Sequence, residues 1–318
     1  MASSLYGVLF LVGLCAPIYC VPPANVPRGG SPHPSSIKSI PTSQVSSRNA
    51  DFAFRLYRRL VLEAPSRNIF FSPTRINSYV EKETRGKVVD LIQSLDPLTA
   101  MVLVNHIFFK AKWEKPFNPA DTKKSFPFLV GKGATVRVPM MHQMEQFAFG
   151  VDPELNCFVL QMNYRGDSVA FFVLPGKGKM KQLEQALSAR TLRKWSHSLQ
   201  KRWIEVFIPR FSISASYDLE TILPKMGIHS AFDKSADFSG IAKRDSLQVS
   251  KATHKAVLDV SEEGTEAVAA TATKLVVRSK DGPSHPTVSF DRAFLMLIMD
   301  EATESILFLG KVENPTKS

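Results

Sequence analysis

Cysteine is scarce in this chain: only Cys15, Cys20 and Cys157 occur among 318 residues. The first twenty residues, MASSLYGVLFLVGLCAPIYC, carry no charge, and their apolar run from Leu5 to Ala16 is too short to cross a bilayer. That stretch reads as a secretory leader cut just after Cys20, which leaves Cys157 alone in the mature chain. No internal disulfide is then possible, so stability must come from the core. Cys157, in LNCFVLQM, is either a buried small hydrophobe, the commoner case, or a reactive thiol. Glycosylation sequons are missing as well, because Asn314 is followed by Pro315. No later segment is long and apolar enough for a membrane span.

Enzyme signatures are also lacking. Gly166-Asp167-Ser168 echoes a serine-protease nucleophile triplet, but Val169 and Ala170 follow where a tight turn would be wanted, so it reads as turn and strand. There is no G-x-S-x-G and no H-E-x-x-H, and HQMEQ at His142 has the wrong partners. The 7 His residues are scattered, with no pair at metal-ligand spacing. GKGKMK at Gly176 lacks both Walker spacing and a Ser or Thr after the Lys. The chain is therefore read as no enzyme and as needing no metal or cofactor.

What is present is globular: 44% hydrophobic and 22% charged residues, with a formal net charge of +11. A basic exported protein can adsorb weakly to polyanions, and RTLRKWSHSLQKRW (Arg190, Arg193, Lys194, Lys201, Arg202) is either such a patch or a solvated helix face. Nucleic-acid and membrane partners are not expected, and the chain is read as a monomer. Residues 21 to 48 are rich in Pro, Ser and Gly and read as a disordered tail, with order from about Asn49. There Phe52, Leu56 and Leu60 recur at helical spacing, and NIFFSP follows as a short strand. TRINSYVEKETRGK (74–87) reads as a helix. AMVLVNHIFFKAKW, CFVLQMNY, SVAFFVLP, WIEVFIPRFSISASY, THKAVLDVSE, FLMLIM and ILFLGKV read as strands. KMKQLEQALSART, extending to HSLQ as one helix or two, and LETILPKMG read as helices. Mixed without strict alternation, they imply α+β with large mixed sheets.

The most informative stretch is EEGTEAVAATATKLVVRSKDGP, residues 262–283. Sorted by the two-residue period of a strand, one face holds Thr265, Ala267, Ala269, Thr271, Thr273 and Leu275, without charge. The other holds Glu266, Val268, Ala270, Ala272 and Lys274. The residues alone leave two readings open: a segment able to enter a sheet with one side buried, or a solvated loop of small residues.

Gly264-Thr265-Glu266-Ala267 followed by small residues resembles the hinge of the serpins, serine-protease inhibitors that change conformation. FAFRLYRRL, NIFFSP, VNHIFFKAKWEKPF, VPMM, FIPRFSISASYDLETILPKMGI, DFSGI, KATHKAVLDVSEEGTEA and FLGKVENP follow in that family's order, so the resemblance runs from about residue 50 to 316, toward the antitrypsin-like secreted clade. It implies a serpin fold from 49 to 318, with a bait loop at about 262–283. A protease would cut Arg278-Ser279, with Lys280 as the nearby ambiguity, and Arg278 suits a trypsin-like specificity pocket lined by a carboxylate. The target would end as a covalent acyl complex while the loop enters the main sheet behind a hinge of Gly264, Thr265, Glu266, Ala267, Val268, Ala269 and Ala270; such insertion is a general example of strain release. Trp113, Arg210 and Glu262 match the point where insertion begins, with Arg210 and Glu262 expected to pair. Asn105 and His254 match the mid-sheet shutter, expected to bond across the parting strands. Non-inhibitory hormone carriers share the clade. The pattern breaks at Pro73-Thr74, where about a hundred family residues, including helices and two edge strands of the main sheet, have no counterpart. A chain so shortened exposes a long apolar edge and could be inactive. Ala293 stands where the family usually has Pro, and Val268 is large for the hinge.

Overall fold

The computed structural model describes residues 9–10, 42–72, 101–109, 111–237, 248–265 and 285–317. In chain order these form β1 (Leu9–Phe10), α1 (Thr42–Glu63), β2 (Ile69–Phe71), β3 (Met101–Phe108), β4 (Lys123–Val130), β5 (Ala134–Asp152), β6 (Cys157–Asn163), β7 (Ser168–Pro175), α2 (Met180–Ala186), α3 (Ala189–Ser198), β8 (Gln200–Pro209), β9 (Phe211–Asp218), α4 (Leu219–Ile222), β10 (Lys251–Val260), β11 (Thr287–Ser289), β12 (Phe294–Asp300) and β13 (Ser305–Val312). Two mixed sheets result. The larger runs β11-β8-β5-β6-β7-β12-β13-β2, with β4 hydrogen-bonded to β5; the smaller runs β1-β3-β10-β9.

Alternation along the strands builds the layers. In β7, Ala170, Phe172 and Leu174 face one core while Val169, Phe171 and Val173 face another. In β12, Phe294, Met296 and Ile298 divide from Leu295, Leu297 and Met299 in the same way. The first core lies between the two sheets; the second lies under α1 and α3. Strands apolar on both faces, such as SVAFFVLP, therefore sit in the middle of the large sheet.

Three expectations change. The helix expected from Asn49 begins at Thr42, inside the stretch read as a disordered tail. No helix breaker follows Pro41, so the turns held by the buried Tyr57 and Leu60 extend backwards. WIEVFIPRFSISASY is not one strand: the chain leaves the large sheet at Pro209, turns at Arg210 and continues in the small sheet as β9. Thirdly, β4, the long β5 and β11 form where the sequence pattern predicts no strand, VPMM within β5 being only a family motif; β4 is mostly exposed and carries Pro127. The 74–87 helix and most of DFSGI lie outside the described residues.

In the smaller sheet β3 and β10 are parallel neighbours, paired from Val102–Lys251 to Phe108–Val257, and β9 adds antiparallel to β10. On the other side of β3, Leu9 and Phe10, within the stretch read as a leader, pair with Met101 and Val102. No helix among the described residues is long and apolar enough to cross a membrane.

Candidate functional site

Where β10 ends, the chain reverses. Ser261 and Gly264 exchange backbone hydrogen bonds (2.8 and 3.2 Å), and the Ser261 hydroxyl donates to the Gly264 carbonyl. Gly264 has φ +142°, and a Cβ there would lie 2.2 Å from the Ala111 carbonyl oxygen, so only glycine fits. The reversal sets the next residue against the continuation of β3: Gly264 bridges Lys112 in antiparallel sense, and the Thr265 N–H donates to Ala111 O at 2.6 Å.

Trp113 is the anvil of this corner. It is 1% exposed and stacks on Tyr164 with ring centroids 4.2 Å apart. Its indole N–H donates to Ser261 O at 3.0 Å, and its backbone N–H to Glu263 O at 2.9 Å. The Tyr164 hydroxyl lies 3.0 Å from the Thr265 hydroxyl, and Thr265 is wholly buried. Trp113, Glu262, Gly264 and Thr265 thus meet in one place.

Glu262 is buried at 8% exposure and held more firmly by two partners that sequence reasoning missed. The Thr122 hydroxyl donates to its carboxylate at 2.8 Å, and its own carbonyl accepts from Phe117 N–H at 2.8 Å. Arg210 stands 3.9 Å from the other carboxylate oxygen with its side chain 54% exposed, a long, solvated pair of small weight. Thr122 gave no signal, being a hydroxyl in a polar loop; Tyr164 was visible only as the end of an apolar strand.

Lower in the same sheet the register sets Asn105 opposite His254. The Asn105 side chain, Glu266, Ala267, Val268, Ala269, Ala270, Arg278 and Ser279 lie outside the described residues. His254 is buried and accepts the Ser72 N–H at 3.1 Å, tying β10 to the end of β2. Its ring lies parallel to that of Tyr217, which accepts the Phe70 N–H at 3.1 Å and whose phenol is pushed up to about 12 by burial. The site is thus a seam between β3 and β10, with Thr265 seated against the continuation of β3 at its head and His254 bonded to the end of β2 lower down.

Elsewhere the side chains with chemical potential are structurally engaged. Cys157 is buried, and burial pushes its thiol up to about 12, far from a thiolate at neutral pH. His142 pairs with Glu205 at 3.0 Å, and Ser168 is buried in β7. Among the described residues no three His, Cys, Asp or Glu are grouped to hold a metal. In the basic block, Lys194 is taken up by Asp152 and Glu154 at 3.1 and 2.6 Å.

The chain is similar to known proteins along most of its length. The family model described as serpin (serine protease inhibitor) matches residues 74–315, beginning at the residue after Pro73. Serpin A9 of Homo sapiens is 62% identical and Thyroxine-binding globulin of Homo sapiens 39% identical, each over 418 positions and covering all of both chains. Against the 318 residues here, about a hundred positions of each therefore have no counterpart. The crystal structure of human Thyroxine-binding globulin complexed with thyroxine superposes with TM-score 0.78 at 39% identity, covering 86% of this chain and 99% of that one. With the family model matched over residues 74–315, relatives aligned over all of the chain and a matching fold, the chain belongs to the serpin family.

Proposed function

We propose that the chain is a secreted suicide substrate of trypsin-like serine proteases, cleaved at Arg278-Ser279. The observation that carries this reading is Thr265: wholly buried, bonded to Tyr164, and already aligned antiparallel to the continuation of β3. Extending the Gly264–Lys112 register residue by residue sets Thr271 opposite Asn105 and Leu275 opposite Met101. The parity of Thr265 turns the uncharged face, Ala267, Ala269, Thr271, Thr273 and Leu275, toward the core. Glu266 and Lys274 stay on the outer face, as does Val268, which explains how the hinge tolerates its size.

In the reaction the protease serine oxygen attacks the Arg278 carbonyl carbon, the bond to the Ser279 nitrogen breaks, and that nitrogen leaves as an amine carrying the transferred proton. The loop, now joined to the protein at one end, enters between β3 and β10 as their common antiparallel neighbour. Fourteen residues from Thr265 to Arg278 span about 46 Å at roughly 3.3 Å each, so the acylated protease is carried the length of the sheet. Distorted there, it cannot complete hydrolysis of its ester. No cofactor takes part. Arg190, Arg193, Lys201 and Arg202 are exposed and supply weak polyanion binding at most.

Two other readings have an observation behind them. The likeness to Thyroxine-binding globulin favours a non-inhibitory carrier, and the hundred positions without counterpart favour an inactive chain. Incubation with trypsin separates them. An adduct stable in SDS and lost in Arg278→Ala supports inhibition; cleavage without adduct supports the carrier; general digestion supports the inactive chain. An adduct unchanged in Arg278→Ala refutes the assigned bond.

A further inference from the structure

A cleft of about 390 Å³ opens between the last turn of α1, residues 66–69, β9 and the C-terminal residues Asn314 and Lys317. That size is in the range of pockets that enclose small organic ligands. Leu60, Ile69 and Ala215 give it an apolar wall. Ser214, Ala215, Ser216 and Tyr217 all line it, although successive residues of a strand point to opposite faces. The cleft therefore meets β9 edge-on. Because β9 is the last strand of its sheet, that rim of backbone N–H groups has no neighbouring strand among the described residues.

The polar groups of the cleft are unbalanced in charge. Among the described residues that line it, Glu63 is the one carboxylate, and Lys225 at 3.0 Å and Arg59 at 3.3 Å already take it up. Arg67 and Lys317 are exposed, and neither the guanidinium nor the ammonium has a partner among the described residues. The hydroxyls of Ser214 and Ser216 are likewise unbonded there. Lys317 is nevertheless held in place. Asn68 Nδ2 donates to the carbonyls of Asn314 and Lys317 at 2.8 and 2.6 Å, and Asn68 Oδ1 accepts from the Glu313 and Asn314 N–H groups at 2.8 and 2.9 Å. This clamp fixes the C-terminal backbone against the turn that carries Arg67, so both cations line one cleft before any ligand arrives.

We propose that this cleft binds a small organic anion, an apolar body ending in a sulfate or phosphate ester. Such a head presents three terminal oxygens, all acceptors, to a guanidinium, an ammonium and two hydroxyls able to donate. The body lies against the apolar wall. The site is separate from the bait loop, so it holds or fails independently of the inhibitory reading.

The test is equilibrium dialysis of the full chain against naphthyl sulfate, naphthyl phosphate and naphthol. The preferred ester is expected to bind about tenfold more tightly than the neutral alcohol, and its identity names the head group. Arg67→Ala and Lys317→Ala should each weaken that ester about tenfold. Ser216→Trp, which fills the cleft from β9, should abolish binding. Melting temperatures should not move, because all three side chains are exposed in the wild type. Lys181→Ala, which removes a charge from the exposed face of α2, should bind as the wild type does. Naphthol binding as tightly as the esters overturns the proposal, as does wild-type affinity in Arg67→Ala and Lys317→Ala or in Ser216→Trp. An equal loss in Lys181→Ala would reduce the effect to bulk charge and overturn it too. A loss confined to Arg193→Ala would move the ligand to the separate cleft between α1 and α3 and refute this assignment.

Discussion

Cutting the chain after Arg278 is expected to make it more stable, the opposite of what nicking does to most proteins. Before the cut, β3 and β10 share one parallel ladder of seven residue pairs, Val102–Phe108 against Lys251–Val257. Insertion replaces it with two antiparallel ladders over the same length, a net gain of about seven backbone hydrogen bonds. At about 1 kcal/mol net for each, the gain is about 7 kcal/mol. A domain this size shifts its melting temperature by roughly 2 °C per kcal/mol, so the cut chain should melt about 15 °C higher. Limited trypsin digestion followed by circular dichroism melts of the intact and cut chains reads this directly. Equal melting temperatures, with the cut confirmed at Arg278-Ser279, would refute the insertion mechanism. A rise in Thr265→Arg equal to that of the wild type would refute the face assignment, because the arginine would then have entered a buried position.

Other outcomes follow from particular contacts. Thr265→Arg should convert the chain from inhibitor to substrate, with cleavage at the wild-type rate but no SDS-stable adduct, because the first inserted position has no exposure to solvate a charge. Lys311, 2% exposed, is held by Glu184 at 3.4 Å, Glu313 at 3.6 Å and the Pro65 carbonyl at 2.9 Å. Lys311→Ala leaves the buried Glu184 and the half-buried Glu313 uncompensated and should cost about 3–5 kcal/mol in a urea titration, more than a surface lysine loses. Asp152 is buried, which alone would raise its carboxyl. Donors from Trp195, Lys194 and the Leu155 backbone outweigh burial and hold it below the ordinary value. Its contribution to stability is therefore present above the unfolded carboxylate's pKa of about 3.9 and disappears as the pH falls through the lower folded value. The stability gap between wild type and Asp152→Asn should accordingly be wide at pH 6 and narrow in acid. A gap constant with pH would show that the carboxylate's charge is not what ties α3 to the β5–β6 hairpin.

Much of this arrangement was legible in the order of residues. SVAFFVLP is apolar at every position because it is covered on both sides, and the alternation in 265–275 separated a charge-free face before any neighbour was known. Gly264 could be found as the flexible joint after the strand, whereas Trp113 was marked only by the resemblance to the serpins. Thr122 and Tyr164 could not: a threonine in a loop and a tyrosine ending a strand acquire meaning only when β10 reverses and brings Glu262 and Thr265 to them. The β4–β5 hairpin escaped because β4 is mostly exposed and the stretch of β5 it pairs with mixes exposed and buried positions, so its hydrophobic pattern is weak. The start of α1 was misread because the polar residues from Thr42 to Arg48 owe their helix to the turns that follow.

The pairing of β3 with β10 sets a further property. A parallel ladder is slightly weaker per residue than the antiparallel kind, and here it lies where the proposed fourteen-residue insertion would enter. On the proposed mechanism, folding halts in a shallow basin while a deeper one exists for the same covalent chain. The working lifetime of such a molecule is set by the height of the wall between the two, so on that mechanism storage and warming would age it even with nothing cut.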